Sequence, residues 1–245
     1  MAGVDDVIAR LVVEHDLPAT ANEQLRALLD ALAEDEHAPT TVRDPLDAVG
    51  VHLADSLVAL DLTVVREALT IADLGAGAGF PGLPLAVALP EARVALVESI
   101  ARKCSFIAAA AASAGLSNVD VVAERAEAWT DGMGRIDVVT ARALAPLGVI
   151  AEYAAPLLRE GGTLVAWKGR RDAEEDRIAA AAADQLGLEV DRIVAVKPYR
   201  GADHRHLHLL RKVAPTPERF PRRPGMARKR PLGAAPGASS DRRRR

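Results

Sequence analysis

The chain has 245 residues, about half of them apolar, and carries 31 Lys/Arg against 34 Asp/Glu for a formal net charge of −3. That length gives one main domain with room for a small appendage, and a lone cysteine, Cys104, excludes an internal disulfide framework and a multi-cysteine zinc site. No apolar run reaches a membrane span, and aromatics at 3% argue against a row of RNA-stacking rings.

The chain starts MAGVDDVIARLVVEHD, with acids where a signal peptide would be basic. A soluble, cytoplasmic protein is expected. Val4, Ile8, Leu11 and Val12 recur at helical spacing. Leu25, Leu28, Leu29 and Leu32 repeat the pattern after a cap at Thr20 or Asn22. Pro39 to Pro45 interrupt it, and a third helix is predicted over residues 46–60. Residues 1–62 therefore form an N-terminal helical extension.

The period then changes. Strands are predicted at 70–74, 93–98, 118–123, 135–140 and 162–168, with helices at 81–89, 101–114, 144–158 and 173–186 between and after them. Two last strands, 188–196 and 205–212, suit an antiparallel pair. Such alternation means right-handed βαβ units and an α/β fold built on a doubly wound parallel sheet, here over residues 63–213. Residues 214–245 read as a basic C-terminal tail, disordered after about residue 232. The charge is uneven. From Lys197 onward there are 15 Lys/Arg and three acids, so the body is acidic and the end is basic. That asymmetry points to a polyanionic partner.

The strongest chemical signal is Asp73-Leu-Gly75-Ala-Gly77-Ala-Gly79-Phe80-Pro81-Gly82, at a strand-to-helix junction. Glycines there let a ligand approach the backbone. Gly77-x-Gly79-x-x-Gly82 matches the dinucleotide fingerprint, and Glu98 stands where a ribose-binding acid is expected. Two prolines crowd the helix start, however, and Asp73 would repel a pyrophosphate. An acid suits the ammonium or sulfonium of S-adenosylmethionine better, with Glu98 accepting from the ribose hydroxyls. Glu127 follows the third strand, and Arg142 ends the fourth, facing the ligand crevice of such sheets. His204, His206 and His208 alternate on a strand without a companion carboxylate or cysteine cluster, so no metal is expected.

Several pieces together resemble the RsmG (GidB) family of bacterial 16S rRNA methyltransferases. They are HLADSL (52–57), ADLGAGAGFPGLP (72–84), VES (97–99), ERAE (124–127), VTARA (139–143), RHL (205–207) and FPRRPG (220–225). The resemblance implies a Rossmann-like class I S-adenosylmethionine-dependent methyltransferase fold with an N-terminal helical extension. It implies methylation at N7 of a guanine, position 527 of 16S rRNA, near the streptomycin site of the small ribosomal subunit. It implies cofactor contacts at Gly75, Phe80, Ala126, Glu127 and Arg142, with Glu98 and Ser99 at the ribose end. With the residue-level reading, the cofactor set is Asp73, Gly75, Gly77, Gly79, Phe80, Glu98, Ser99, Ala126, Glu127 and Arg142. Many members carry Asp at the position of Glu98, and an Asn-Leu-Thr where this chain has Ala38-Pro39-Thr40.

Guanine N7 has a free lone pair, so positioning suffices and no catalytic base is expected; an orienting role is expected of Arg142. RNA contacts are expected from Lys168, Arg200, Arg205, Arg211, Lys212, Arg222, Arg223, Arg228, Lys229 and Arg230. A monomer without membrane association is anticipated. An NAD-dependent oxidoreductase and a non-catalytic ribosome-assembly factor remain as alternatives on sequence alone.

Overall fold

The computed structural model describes residues 3–42 and 44–234. Seven strands form one sheet: β1 (Thr70–Leu74), β2 (Arg93–Val97), β3 (Val119–Val122), β4 (Ile136–Arg142), β5 (Leu158–Lys168), β6 (Leu188–Val196) and β7 (Arg205–Lys212). Their order is β3-β2-β1-β4-β5-β7-β6. The first five are parallel, and β7 runs antiparallel between β5 and β6. The chain turns outward in opposite directions from β1 and from β4. The carboxyl ends of these two neighbours therefore open the crevice where such sheets bind ligands.

Alternation along the strands builds two cores. Ile71, Val138, Val165 and Leu209 face the N-terminal helices, α6 (Gly82–Ala88) and α7 (Ala101–Ser113). Ala72, Val139, Leu164 and Leu210 face α8 (Leu147–Ala154) and α9 (Ala173–Leu186). α9 is capped by the Asp172 carboxylate and ends at Gly187, whose φ of +72° suits glycine.

The extension contains α1 (Val4–Glu14) and α2 (Ala21–Glu34), both burying the predicted leucine stripes. The predicted third helix is broken into pieces: α3 (Pro45–Ala48), a π-turn (Val49–Ala54), α4 (Asp55–Leu57) and a 3-10 turn (Val58–Asp61). A further short helix, α5 (Thr63–Arg66), leads into β1. Asp44 caps the start and Pro45 occupies the first turn. The widened turn carries His52, and the Ser56 hydroxyl bonds back to the His52 carbonyl at 2.5 Å. Such turns concentrate where side chains must be re-aimed.

Two boundaries move. α8 stops at Ala154, because Pro156 cannot continue it, and β5 begins at Leu158 rather than at residue 162. Gly162 lies within this strand, and a Cβ there would stand 2.9 Å from the carbonyls of Ile136 and Asp137.

The basic C-terminal segment, expected to be disordered only after about residue 232, is laid across α8 and α9 over residues 214–234. Phe220 and Ala227 are buried in the second core, and α10 (Met226–Lys229) packs against α8. Scattered apolar residues suffice because a partner surface already exists. Of the residues after 232, where disorder is expected, Gly233 lies close against α9, where a Cβ would stand 2.4 Å from Ile178 O, and residues 235–245, with the closing arginine run, lie outside those described.

Candidate active site

The glycine loop is shaped by three left-handed residues, Gly75, Gly77 and Gly79, at φ of +66°, +62° and +91°. L side chains rarely tolerate these angles. A Cβ at Gly79 would also stand 2.3 Å from the Leu83 side chain. β1 delivers the loop over β2, where the Gly75 N–H donates to Val97 O at 2.8 Å.

Two carboxylates hold the loop from either side. Asp73 is buried and accepts from Gly82 N at 2.9 Å and from the Thr140 hydroxyl, on adjacent β4, at 3.0 Å. Burial pushes its pKa up to about 6, against those hydrogen bonds and the Arg142 charge. Glu98 is 6% exposed and accepts from Ser99 N at 2.8 Å, Ile100 N at 2.9 Å and Gly77 N at 3.2 Å. Lys103 Nζ lies 3.8 Å from it. Cys104 donates to the Glu98 carbonyl, and burial and the Glu98 charge push its thiol pKa up.

Beside the loop opens a cavity of about 420 Å³. Its lining includes Gly75, Glu98, Ser99, Ala126, Glu127 and Leu144, so five predicted cofactor residues converge there. Tyr153 and Arg228 line it too. Tyr153 carries no sequence signal, being one helical position among many. Arg228, among the residues expected to meet RNA, is exposed and also lines this cavity.

Asp73, Gly77, Gly79, Phe80 and Arg142 do not line this cavity. Asp73, Gly77 and Gly79 shape the loop behind it. Phe80 is buried and stacks on His52, ring centroids 4.6 Å apart. Arg142 lies 5.9 Å from the Phe80 ring and donates to Val51 O at 2.8 Å and Asp55 Oδ2 at 2.9 Å. Asp55 is fully buried, with Arg205 Nε 2.9 Å from its other oxygen. The Trp167 indole fixes the Asp55 carbonyl at 2.7 Å. His52 bonds the Thr40 hydroxyl at 2.9 Å, and burial next to Arg142 pushes its pKa down to about 4, so its ring is neutral. A second, charged node thus abuts the glycine loop. Its members are legible singly, as HLADS and TAR; their meeting is not.

Several residues predicted to meet RNA have intramolecular partners. Lys168 pairs with Glu175 at 2.5 Å, and Glu175 also accepts from Leu147 N at the start of α8. Arg205 serves Asp55. Arg211 pairs with Glu189. Lys212 is buried against Ala155 O and Thr216, and burial pushes its pKa down to about 8. Arg222 binds both oxygens of Glu152, which is 2% exposed. Arg228 donates to Leu144 O at 2.9 Å. A basic residue becomes an internal partner when a buried carboxylate or carbonyl lies within reach. Arg200, Arg223, Lys229 and Arg230 keep exposed side chains. Among the described residues no cluster of His, Cys, Asp and Glu is arranged for a metal.

Comparison with known proteins agrees with this geometry. A family model described as GidB, rRNA small subunit methyltransferase G, matches residues 21–207. The ribosomal RNA small subunit methyltransferase G of Rubrobacter xylanophilus is 43% identical over 196 residues, covering 78% of this chain and 75% of the relative. Its namesake in Chloroflexus aggregans is 40% identical over 217 residues, covering 85% and 89%. Among solved structures, a SAM-dependent methyltransferase from Aquifex aeolicus superposes with a TM-score of 0.55 at 18% identity, covering 69% of this chain and 94% of that one. A SAM-dependent O-methyltransferase from Thermotoga maritima gives 0.54 at 18% identity, covering 76% and 71%. These structures share the fold. The loop, the crevice and the extent of the sequence match lead to one assignment: the chain belongs to the rRNA small subunit methyltransferase G (GidB) family.

Proposed function

We propose that this protein transfers a methyl group from S-adenosylmethionine to N7 of a guanine in 16S rRNA, at position 527, in the cytoplasm. One observation carries the cofactor half of this reading. The loop N–H groups that a pyrophosphate would need are already engaged by carboxylates, Gly77 by Glu98 and Gly82 by Asp73. A dinucleotide would have to displace both acids. A nucleoside that brings no phosphate and offers ribose hydroxyls to Glu98 leaves both acids in place. The oxidoreductase alternative is accordingly set aside.

S-adenosylmethionine, when bound, supplies an electrophilic methyl group on a positively charged sulfur. The residues of this chain do the rest by holding. Glu98 is fixed by the N–H groups of Ser99, Ile100 and Gly77, and a carboxylate retains lone pairs for ribose hydroxyls. Ala126 and Glu127 offer backbone and carboxylate to the adenine edge. Asp73 fixes the loop rather than the ligand. Attack by guanine N7 uses a lone pair that carries no proton, so the site needs no general base, only alignment. The target base must leave its stack to reach the cavity. Phe80, with Arg142 held by Asp55, stands beside the loop to receive or orient it.

For RNA, the exposed Arg200, Arg223, Lys229 and Arg230 offer phosphate contacts, whose affinity falls with salt. Calorimetric titration separates the two cofactor readings. Binding of S-adenosylmethionine without binding of NAD is expected. Tight NAD binding without S-adenosylmethionine binding overturns the proposal.

A further inference from the structure

The basic C-terminal segment folds over the mouth of the cavity, although its composition reads as an RNA-binding tail. It leaves β7 and is fastened at successive points. The Thr216 hydroxyl donates to Leu186 O at 2.9 Å. Phe220 is buried in the core beneath α8. The Arg222 guanidinium grips Glu152 of α8, with Nε to Oε1 at 2.7 Å, and also donates to the Arg230 carbonyl at 2.9 Å, closing the segment on itself. The Gly225 N–H donates to Oε1 of Glu127 at 3.0 Å. Arg228 donates to Leu144 O at 2.9 Å and lines the cavity together with Tyr153. Glu127, Leu144, Tyr153 and Arg228 are all cavity-lining residues.

We infer that residues 216–230 are a cofactor-binding strap, in which Arg228 forms part of the cavity wall and the Arg222–Glu152 pair positions it. This inference rests on the reading of the cavity as the S-adenosylmethionine site. Two observations favour a wall over a tail. The segment spends its hydrogen bonds on Glu127 and Leu144, which reach the cavity from the β3 and β4 ends. Its anchoring arginine satisfies a carboxylate that is otherwise buried in α8 and without charge compensation. Arg228 is thus a ligand-contacting residue and Arg222 a positioning residue. Arg223 and Lys229, their exposed neighbours in sequence, are left for RNA.

The test uses the full-length protein and S-adenosylhomocysteine, the demethylated cofactor, by calorimetry, with RNA binding measured separately. Arg228→Ala is expected to weaken S-adenosylhomocysteine at least tenfold while the melting temperature and RNA affinity stay near wild type. Arg222→Ala should weaken it several-fold, and Arg222→Lys should restore only part, since a lysine cannot engage both carboxylate oxygens. Arg223→Ala should leave cofactor affinity unchanged. If Arg228→Ala binds S-adenosylhomocysteine as the wild type does, the strap is refuted while the cavity assignment stands. Loss of RNA affinity alone in Arg228→Ala refutes the strap equally. If the wild type itself binds no S-adenosylhomocysteine, the cavity assignment falls and the strap with it.

Discussion

The glycine loop and the C-terminal strap wall the same cavity by opposite means. The loop uses backbone: three glycines with positive φ, and two N–H groups held by carboxylates only 21 and 9 positions away. The strap uses side chains and long reach, with Arg222 and Glu152 separated by 70 positions. A backbone device leaves a local signature in sequence. A side-chain device made of ordinary charged residues leaves none. The difference also explains why net charge misleads here. Arg205, Lys212 and Arg222 serve acids and carbonyls of the body, while most of the other described basic residues near the C-terminus face outward.

That contrast can be broken most sharply at the loop. Gly75→Asp places a side chain at φ +66° against Leu144 and inside the cavity. Cofactor affinity should fall by roughly a hundredfold or more, a figure that combines strain and occlusion. RNA affinity should persist, and parallel loss of both would mean that the loop does not act through the cofactor.

At the strap, Glu152→Ala leaves Arg222 without its partner and opens a gap under the segment. Breaking a buried ion pair costs about 3 kcal/mol or more. Urea unfolding should therefore show a large loss, and a variant within about 1 kcal/mol of wild type would show the strap to be loosely attached.

The charged node beside the loop predicts a pH signature. His52 has a folded pKa of about 4, below its ordinary 6.5. Between those values the unfolded chain binds more protons, so this group's contribution falls as pH drops through the window. Asp73 works in the opposite direction, because its folded pKa of about 6 exceeds 3.8, and protonation relieves its burial as pH falls. The two partly cancel in the wild type. His52→Gln removes one of them. Its stability relative to wild type should improve by up to roughly 3 kcal/mol between about pH 7 and pH 4, and a pH-independent difference would contradict the neutral, buried imidazole.

The smallest effects belong to the outward residues. Arg200→Ala or Arg223→Ala should weaken RNA binding a few-fold and reduce the salt slope by about one. Cofactor affinity should not move. A change in cofactor affinity instead would mean that the strap and the RNA face are not separable.

Much of this is readable in the sequence, for physical reasons. β1 ends in a glycine run, and its length and burial follow from Ile71 to Leu74. The alternation of strands and helices leads to the parallel sheet because crossover geometry permits few arrangements. Glu98, Ser99, Ala126 and Glu127 meet at one cavity because each follows the carboxyl end of a neighbouring strand. What stays hidden depends on long-range pairing. The π-turn at His52 leads into Asp55, whose partners Arg142 and Arg205 lie 87 and 150 residues away. The roles of Lys168, Arg205 and Arg222 require knowing which acids lie opposite. No local pattern distinguishes an arginine that meets solvent from one that meets a buried glutamate.

The central claim is tested most directly by supplying unmodified small ribosomal subunits, or their RNA, with methyl-labelled S-adenosylmethionine and mapping the product. Label on a single guanine of 16S rRNA, at N7, is the predicted result. Label on another base or another atom, or no transfer by a protein that binds both cofactor and RNA, would contradict it.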